Sequence, residues 1–402
     1  MTVAVKERAS PVELNDEQRS FQAEVREWLK ANAPEQLKGV RLGRRLDVSE
    51  IGLVKDWTQR LHEAGYMCVA WPKEYGGRGL SGVEVALLNE AFHSAGVPRV
   101  TRGMGEWLVG PSIIAHGTEE QKGHFLPRII DGTDNYCQGF SEPNAGSDLA
   151  SLRTRAAVDG DELTINGQKV WTSGYWDANL LFCLCRTDES APKHRGISYV
   201  LIPIKDNGIE FRPIKQSSGV GGFAETFITD AKAPLFHVIG GLNNGWKVAM
   251  TTLGNERGGN ATTQYVQFEE ELGRLIDEAR RLGKLGEPVI RERLAWAYCQ
   301  VEVMRQSGYY LLNALAAGQD PGPGGAGSVN KIRWSEYHRR FGELALDVLG
   351  SETLVTGEDY KLSPWQSAFL SGRTETIWGG TAEIQRNIIA ERVLGLPKEP
   401  SQ

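Results

Sequence analysis

The chain has 402 residues, 40% of them hydrophobic and 24% charged, and a formal net charge of -6. That length allows two or three domains with substantial cores, and the composition excludes a disordered chain. The acidic balance gives no footprint for nucleic acid, so an anionic ligand would need local positive charge.

No stretch approaches the roughly 18 to 20 apolar residues of a membrane span, and "MTVAVKERASPVELNDEQ" lacks an apolar run of signal-peptide length. Five cysteines (Cys68, Cys137, Cys183, Cys185, Cys299) form neither a CxxC motif nor a disulfide-like framework, which makes the cytoplasm the expected location. The seven histidines show no zinc-type spacing, so no metal site is expected, and no Rossmann or P-loop nucleotide motif is present.

In chain order the periodicity changes twice. From Asn15 to about Gly132 it is helical: Phe21, Val25, Trp28 and Leu29 form one stripe, and Ile51, Val54, Trp57 and Leu61 a second with Gly65 at its end. Thr118 and Gln121 have the spacing of a capping box. From about Asp134 to Ile239 the pattern is of strands, "DELTINGQKVWTS", "LLFCLCRT", "ISYVLIPI", "IEFRPI" and "AETFITDAKAP", with Asn166-Gly167 as a hairpin signal. From Trp246 onward helices return, interrupted by "GQDPGPGGAG" (318–327), which predicts a loop between antiparallel helices. The expected class is α+β: an N-terminal helical domain (1–133), a barrel-like or sandwich β domain (134–240) and a C-terminal helical bundle (241–402).

Four segments carry chemistry. "YCQGFSEPNAGSDLAS" is a loop whose backbone N–H groups and hydroxyls suit a polar ligand, although self-bonded turns at Ser141 and Asp148 explain it equally well. Trp171 and Ser173, two residues apart on a strand, present an aromatic plane beside a hydroxyl. Gly379-Gly380 turns into a helix with Thr381 as N-cap, whose free N–H groups suit an electron-rich ligand. In "AMTTLGNERGGNATTQ" the acid Glu256 stands directly before Arg257 among small residues that permit close approach, although most such pairs are solvated.

Together with "WPKEYGGRGLS" (71–81), these segments resemble the acyl-CoA dehydrogenase family over nearly the whole chain. "GFSEPNAGSDLAS" is similar to the first family signature, with Phe140 where an aliphatic residue is usual; "NGQKVWTS" resembles the flavin-stacking strand, "LGNERGG" the first helix after the β domain, and "TIWGGTAEIQRNIIAERVLGLP" the C-terminal signature. The resemblance implies FAD, an acyl-CoA substrate and α,β-dehydrogenation to the 2-enoyl-CoA. It implies flavin contacts at Phe140, Ser141, Trp171, Ser173, Thr381 and Glu383, and a thioester-CoA or cofactor contact at Ser147. Many members carry the catalytic Glu where this chain has Gly379; a minority carry it directly before an Arg on the helix after the β domain, here Glu256 with Arg257. The expected base is therefore Glu256, with Arg257 orienting it or meeting substrate, and the Gly379 N–H contributing to carbonyl-oxygen stabilisation.

Two family features are absent. The Arg-x-x-Phe-Gly motif that reaches a neighbour's FAD is replaced by "EARRLGKLG" with Arg280 and Arg281, and Asp347 and Ser351 stand where Gln and the second Gly of a Gln-x-x-Gly-Gly stretch would be. The combination resembles the catalytic subunit of heteromeric acyl-CoA dehydrogenases acting on bulky or steroid thioesters, within a tetramer, with electron-transfer flavoprotein as acceptor. Two other functions stay open at this stage: a flavin oxidase or monooxygenase on the same scaffold, and a structural subunit of a heteromer.

Overall fold

The computed structural model describes residues 14–40, 48–219, 221–258, 264–317 and 325–398. The side chains of Glu256 and Arg257 lie outside that description, although the backbone of both is helical.

Five helices come first: α1 (Asp16–Asn32), α2 (Val48–Glu63), α3 (Gly82–Ala95), α4 (Gly110–His116) and α5 (Glu119–Asp131). Capping boxes open α1, α3 and α5 at Asn15 with Gln18, Ser81 with Glu84 and Thr118 with Gln121, so side chains answer the free N–H groups of each first turn. Phe21, Val25, Leu29, Trp57 and Leu61 are buried, as their spacing predicts. Ile51 departs from expectation at 53% exposed: six residues at about 100° each carry it about 120° round the helix from Trp57. A π-helical turn, Gly105–Val109, runs directly into α4.

The strands are β1 (Tyr136–Gly139), β2 (Arg155–Asp159), β3 (Glu162–Ser173), β4 (Leu180–Arg186), β5 (Ile197–Pro203), β6 (Ile209–Ile214), β7 (Phe223–Pro234) and β8 (Val238–Ile239). They form one eight-stranded sheet of order β6-β7-β3-β2-β4-β5-β8, with β1 parallel to β4. The sheet folds over itself, so that Leu163, Ile228 and Ala231 share a core with Leu181, Cys183 and Val200. The apolar runs of β4 and β5 follow from burial on both faces: Leu181, Cys183 and Cys185 face that core, whereas Leu180, Phe182 and Leu184 join the N-terminal helices in another.

The hairpin lies earlier than expected. Gly160 and Asp161 connect β2 to β3, with Gly160 at φ +59°, while Asn166 and Gly167 sit inside β3 at a register shift against β7. Asn166 is held there by its side chain, which donates to Asp230 Oδ1 and accepts from Asp230 N, both at 2.9 Å. A Cβ on Gly167 would come within 2.4 Å of the Thr154 hydroxyl, so this glycine serves a close approach and not a turn.

The remaining helices are α6 (Gly245–Gly258), α7 (Gln264–Arg281), α8 (Pro288–Ala316), α9 (Gly325–Leu349), α10 (Pro364–Glu375) and α11 (Ala382–Ile388). Phe268, Leu294, Phe341 and Trp365 bring α7 to α10 into a separate core, whereas Val248 and Ala249 place α6 in the core shared by the sheet and the N-terminal helices. Of the stretch expected to be a loop, Gly325 to Gly327 open α9, and residues 318–324 lie outside the described residues. Glycine lets α9 and α10 cross closely, since a Cβ on Gly342 would sit 2.7 Å from Phe369 Cα. Among the described residues, no helix is long and apolar enough to cross a membrane.

Candidate active site

The loop after β1 is built on a buried ion pair. Lys169 of β3 is fully buried, and its Nζ donates to Glu142 Oε1 (2.8 Å), Leu184 O (2.8 Å) and Phe140 O (3.2 Å). Glu142 also accepts from the backbone N–H groups of Arg153 (2.7 Å) and Thr154 (2.8 Å). Burial would raise its pKa, but the charge and hydrogen bond of Lys169, with the bonds from Thr154 and Arg153, hold the carboxyl below its usual value. Glu142 and Ala145 exchange backbone hydrogen bonds that close the turn, and Val170 N donates to Ser141 O at 2.9 Å, seating the loop beside β3. Sequence reasoning missed this pair. The available signal was a lysine inside an otherwise inward-packing strand, which needs a carboxylate within reach.

Trp171 lies in a bulge of β3, at a register shift between Lys169 and Thr172, with φ +62° and 55% exposure. A bulky residue in the left-handed region is strained, and such strain persists where surrounding structure enforces it. Here the enforcement comes from the buried residues on either side, Lys169 in its ion pair and Thr172 hydrogen-bonded to Thr226 at 2.7 Å. Ser173 follows, partly exposed. Ser147 is exposed on the loop, beside an Asp148–Lys193 ion pair. Phe140 is different: its ring is buried against Phe182 and Tyr199 and its carbonyl accepts from Lys169, so its side chain faces the core and not a cofactor.

Helix α6 is registered by buried hydroxyls. Thr252 Oγ1 lies 2.7 Å from Ser112 Oγ of α4 and also donates to Val248 O, and both hydroxyls are fully buried. One residue back, Thr251 Oγ1 lies 2.7 Å from His116 Nε2. Glu256 and Arg257 occupy the last turn of this helix.

The C-terminal turn has Gly379 at φ +66° and Gly380 at φ +89°, conformations that glycine adopts without strain. Gln385, fully buried, donates from Nε2 to Gly379 O at 2.9 Å, and Thr381 caps α11 by accepting from Ile384 N at 3.2 Å. Trp378 packs on Trp334 of α9 with ring centroids 5.4 Å apart. Among the described residues nothing accepts a hydrogen bond from the Gly379 N–H. Glu383 is exposed, 3.9 Å from Arg386.

The structure thus gathers Ser141, Trp171 and Ser173 at one end of β3, and Gly379, Thr381 and Glu383 at one turn of the bundle. No hydrogen bond, ion pair or ring contact among the described residues joins the two groups. At the far end of the bundle the arginines noted in the sequence are already engaged: Arg281 pairs with Glu278 (2.6 Å) and Glu352 (2.7 Å), and Arg280 with Asp277. Asp347 is ion-paired with Arg293, and its carbonyl accepts from Lys284 Nζ at 3.0 Å.

The family models for the N-terminal, middle and C-terminal domains of acyl-CoA dehydrogenases match residues 15–133, 137–231 and 243–394. The chain is 43% identical to acyl-CoA dehydrogenase IpdE1 of Mycobacterium tuberculosis over 383 residues, 94% of this chain and 98% of that protein. It is 42% identical to IpdE1 of Mycolicibacterium smegmatis, over 95% of this chain and 99% of that one. Among solved structures it is similar to the Tcur3481-Tcur3483 steroid ACAD (30% identity, TM-score 0.79, 96% and 99% of the two chains). It is also similar to the ChsE4-ChsE5 complex from Mycobacterium tuberculosis (26%, 0.75, 96% and 100%). With three family domains in order and full-length relatives above 40% identity, the chain belongs to the acyl-CoA dehydrogenase family and is an oxidoreductase acting on CH–CH donors.

Proposed function

We propose that this enzyme converts an acyl-CoA thioester to its 2-enoyl-CoA with FAD as cofactor and Glu256 as the base that removes the α-proton. The observation that carries the reading is reciprocal. The C-terminal turn is intact and capped but has Gly379 where many members of the family have their acid, while Glu256-Arg257 supplies an acid at the family's alternative position on α6. The divisions 1–133, 134–240 and 241–402 are the three domains that cooperate in this reading.

The residues present fit a flavin. Trp171 offers a strained, exposed aromatic plane with Ser141 and Ser173 beside it, the Gly379 N–H is free among the described residues, and Thr381 opens a helix. Bound FAD would accept the hydride from the β-carbon. The α-proton of a thioester is weakly acidic, and a hydrogen bond from the Gly379 N–H to the carbonyl oxygen would stabilise the charge that develops there. Arg257 would orient the Glu256 carboxylate or meet the substrate, Ser147 the CoA portion, and Thr381 and Glu383 the flavin. Anaerobic mixing with an acyl-CoA panel should bleach the flavin absorbance, and reoxidation in air should be slow. Rapid release of peroxide would favour an oxidase instead. The acceptor we infer is electron-transfer flavoprotein.

We further infer a heteromeric tetramer acting on a bulky, steroid-like thioester. The two-chain names of the solved relatives and the steroid named in one of them support this, as does the engagement of Arg280 and Arg281 within their own bundle. Pairing with Arg293 offsets part of the repulsion that Asp347 would exert on a pyrophosphate, so the missing free arginine is the stronger ground. Two charge-assisted bonds supplied by a partner, at about 1.5 to 3 kcal/mol each, correspond to about 100-fold or more in FAD affinity. The expected result is low flavin occupancy for the chain expressed alone and about one FAD per heterodimer with a partner, read from the ratio of flavin to protein absorbance. A fully loaded homotetramer would overturn the heteromer reading and leave the chemistry standing.

A further inference from the structure

A buried cluster of charges in the bundle takes no part in the chemistry described above. His338 of α9 is 6% exposed. Its Nδ1 lies 2.6 Å from Glu375 Oε2 of α10, and its Nε2 lies 3.3 Å from Glu271 Oε2 of α7. Both carboxylates are themselves largely buried, at 13% and 14% side-chain exposure. With a carboxylate near each ring nitrogen, hydrogen-bonded at Nδ1 and ion-paired at Nε2, the imidazolium is the form that both charges favour. Phe268 of α7 and Phe341 of α9 pack against the ring at 5.3 Å and 6.2 Å. Beside Glu271, Gln267 donates to its second oxygen at 3.3 Å, and Arg274 adds positive charge on the same helix.

The cluster sits where three elements meet. Glu375 is the last residue of α10, four positions before Gly379. Helices α10 and α9 also approach closely beside it, since a Cβ on Gly372 would lie 3.1 Å from His338 O. One turn before His338 on α9, Trp334 packs on Trp378, the residue directly before Gly379. Glu271 belongs to α7, the helix that follows the one bearing Glu256.

We propose that Glu271, His338 and Glu375 form a charged clasp that sets the position of the Gly379 turn against α7 and α9, which makes His338 a positioning residue for dehydrogenation. The proposal rests on the reading in which the Gly379 N–H meets the thioester carbonyl. A hydrogen-bond donor aimed at a developing oxyanion is useful only at the correct position, and the clasp ties down the helix end from which that donor is presented. A charged pair does this more rigidly than apolar packing because separating either partner leaves a buried charge unpaired.

The clasp also has a pH signature. Burial alone would lower the pKa of His338, but the close contacts with Glu271 and Glu375 and their negative charges outweigh it and push the value up to about 10. A raised pKa means that the stabilisation is complete below the ordinary imidazole value, about 6.5, and is lost as the pH climbs through the folded-state value.

The test compares wild type with His338→Gln and Glu375→Gln as FAD-loaded enzyme, with the partner chain where one co-purifies. His338→Gln should lower kcat for acyl-CoA oxidation by about tenfold with KM changed less than about twofold, short of the ~100-fold that a 1 Å misplacement costs. It should also remove the decline of melting temperature expected of wild type as the pH rises from about 6.5 to 10. Glu375→Gln keeps the contact of His338 with Glu271 and carries the test if His338→Gln does not fold; it should lower kcat by about threefold. Unchanged kcat in the folded variants overturns the positioning role, even if the pH slope disappears. An unchanged slope in folded His338→Gln overturns the clasp itself. If no acyl-CoA reduces even the wild-type flavin, the dehydrogenation reading fails, and the positioning claim with it, while the melting profile still decides whether the clasp exists.

Discussion

Glu256→Gln is expected to lower turnover by about 100- to 10,000-fold, the usual contribution of a positioned base, while leaving flavin occupancy and melting temperature close to wild type. The substitution keeps the volume and removes only the ability to take a proton. The helix itself is held elsewhere along its length, because the Ser112–Thr252 hydrogen bond registers it against α4 and Val248 and Ala249 pack it into the core. Its start is equally constrained, since a Cβ on Gly245 would sit 2.3 Å from the Ser198 backbone. The measurement is the rate of anaerobic flavin reduction by a saturating acyl-CoA, which isolates the chemical step from reoxidation. Retention of more than about a tenth of the wild-type rate would place the base elsewhere, because loss of a general base costs at least about 100-fold.

Long periodic segments were legible in the sequence because one physical cause governs each of them. The stripe of α1 and the apolar strands β4 and β5 reflect burial of a surface whose period is set by the backbone, and the Thr118–Gln121 box reflects the free N–H groups of a helix start. Features that depend on a partner distant in the chain were not legible. Asn166-Gly167 has turn composition, yet Asp230 and Thr154 hold it in a strand, and neither contact has a local signature. Gly325 to Gly327 read as loop but open a helix that packs into the bundle core. At the candidate site the residues in recognisable motifs could be named from the sequence, whereas Lys169, Glu142 and Gln385 could not, because their contacts hold other residues. The Trp171 bulge was missed for a related reason: an inserted strand residue changes the register without leaving a mark on composition.

Lys169→Met should cost about 3 to 5 kcal/mol of stability, the range for breaking a buried ion pair by removing one partner. Lys169 is the centre of three interactions, so its loss leaves the carbonyls of Phe140 and Leu184 and a buried Glu142 without their shared donor. Methionine fills most of the volume and isolates the electrostatic part of the effect. The pH dependence gives an internal check. In wild type the carboxyl of Glu142 is held below its usual value, so the stabilisation is present at neutral pH and is lost as the pH falls through the folded-state value. Without the lysine, burial dominates and raises that value, so the variant should gain stability relative to wild type as acid neutralises the carboxylate. Glu142→Gln combined with Lys169→Met removes the buried charge altogether and should recover part of the loss. Urea titrations of the FAD-loaded protein at neutral and mildly acidic pH measure both variants against wild type. Because Ser141 is hydrogen-bonded to Val170, the residue next to Lys169, the single variant should also release flavin at lower urea than wild type. A Lys169→Met protein with wild-type midpoints at both pH values would mean that the loop is held by its backbone turn alone, and the ion pair would lose its role in shaping the site.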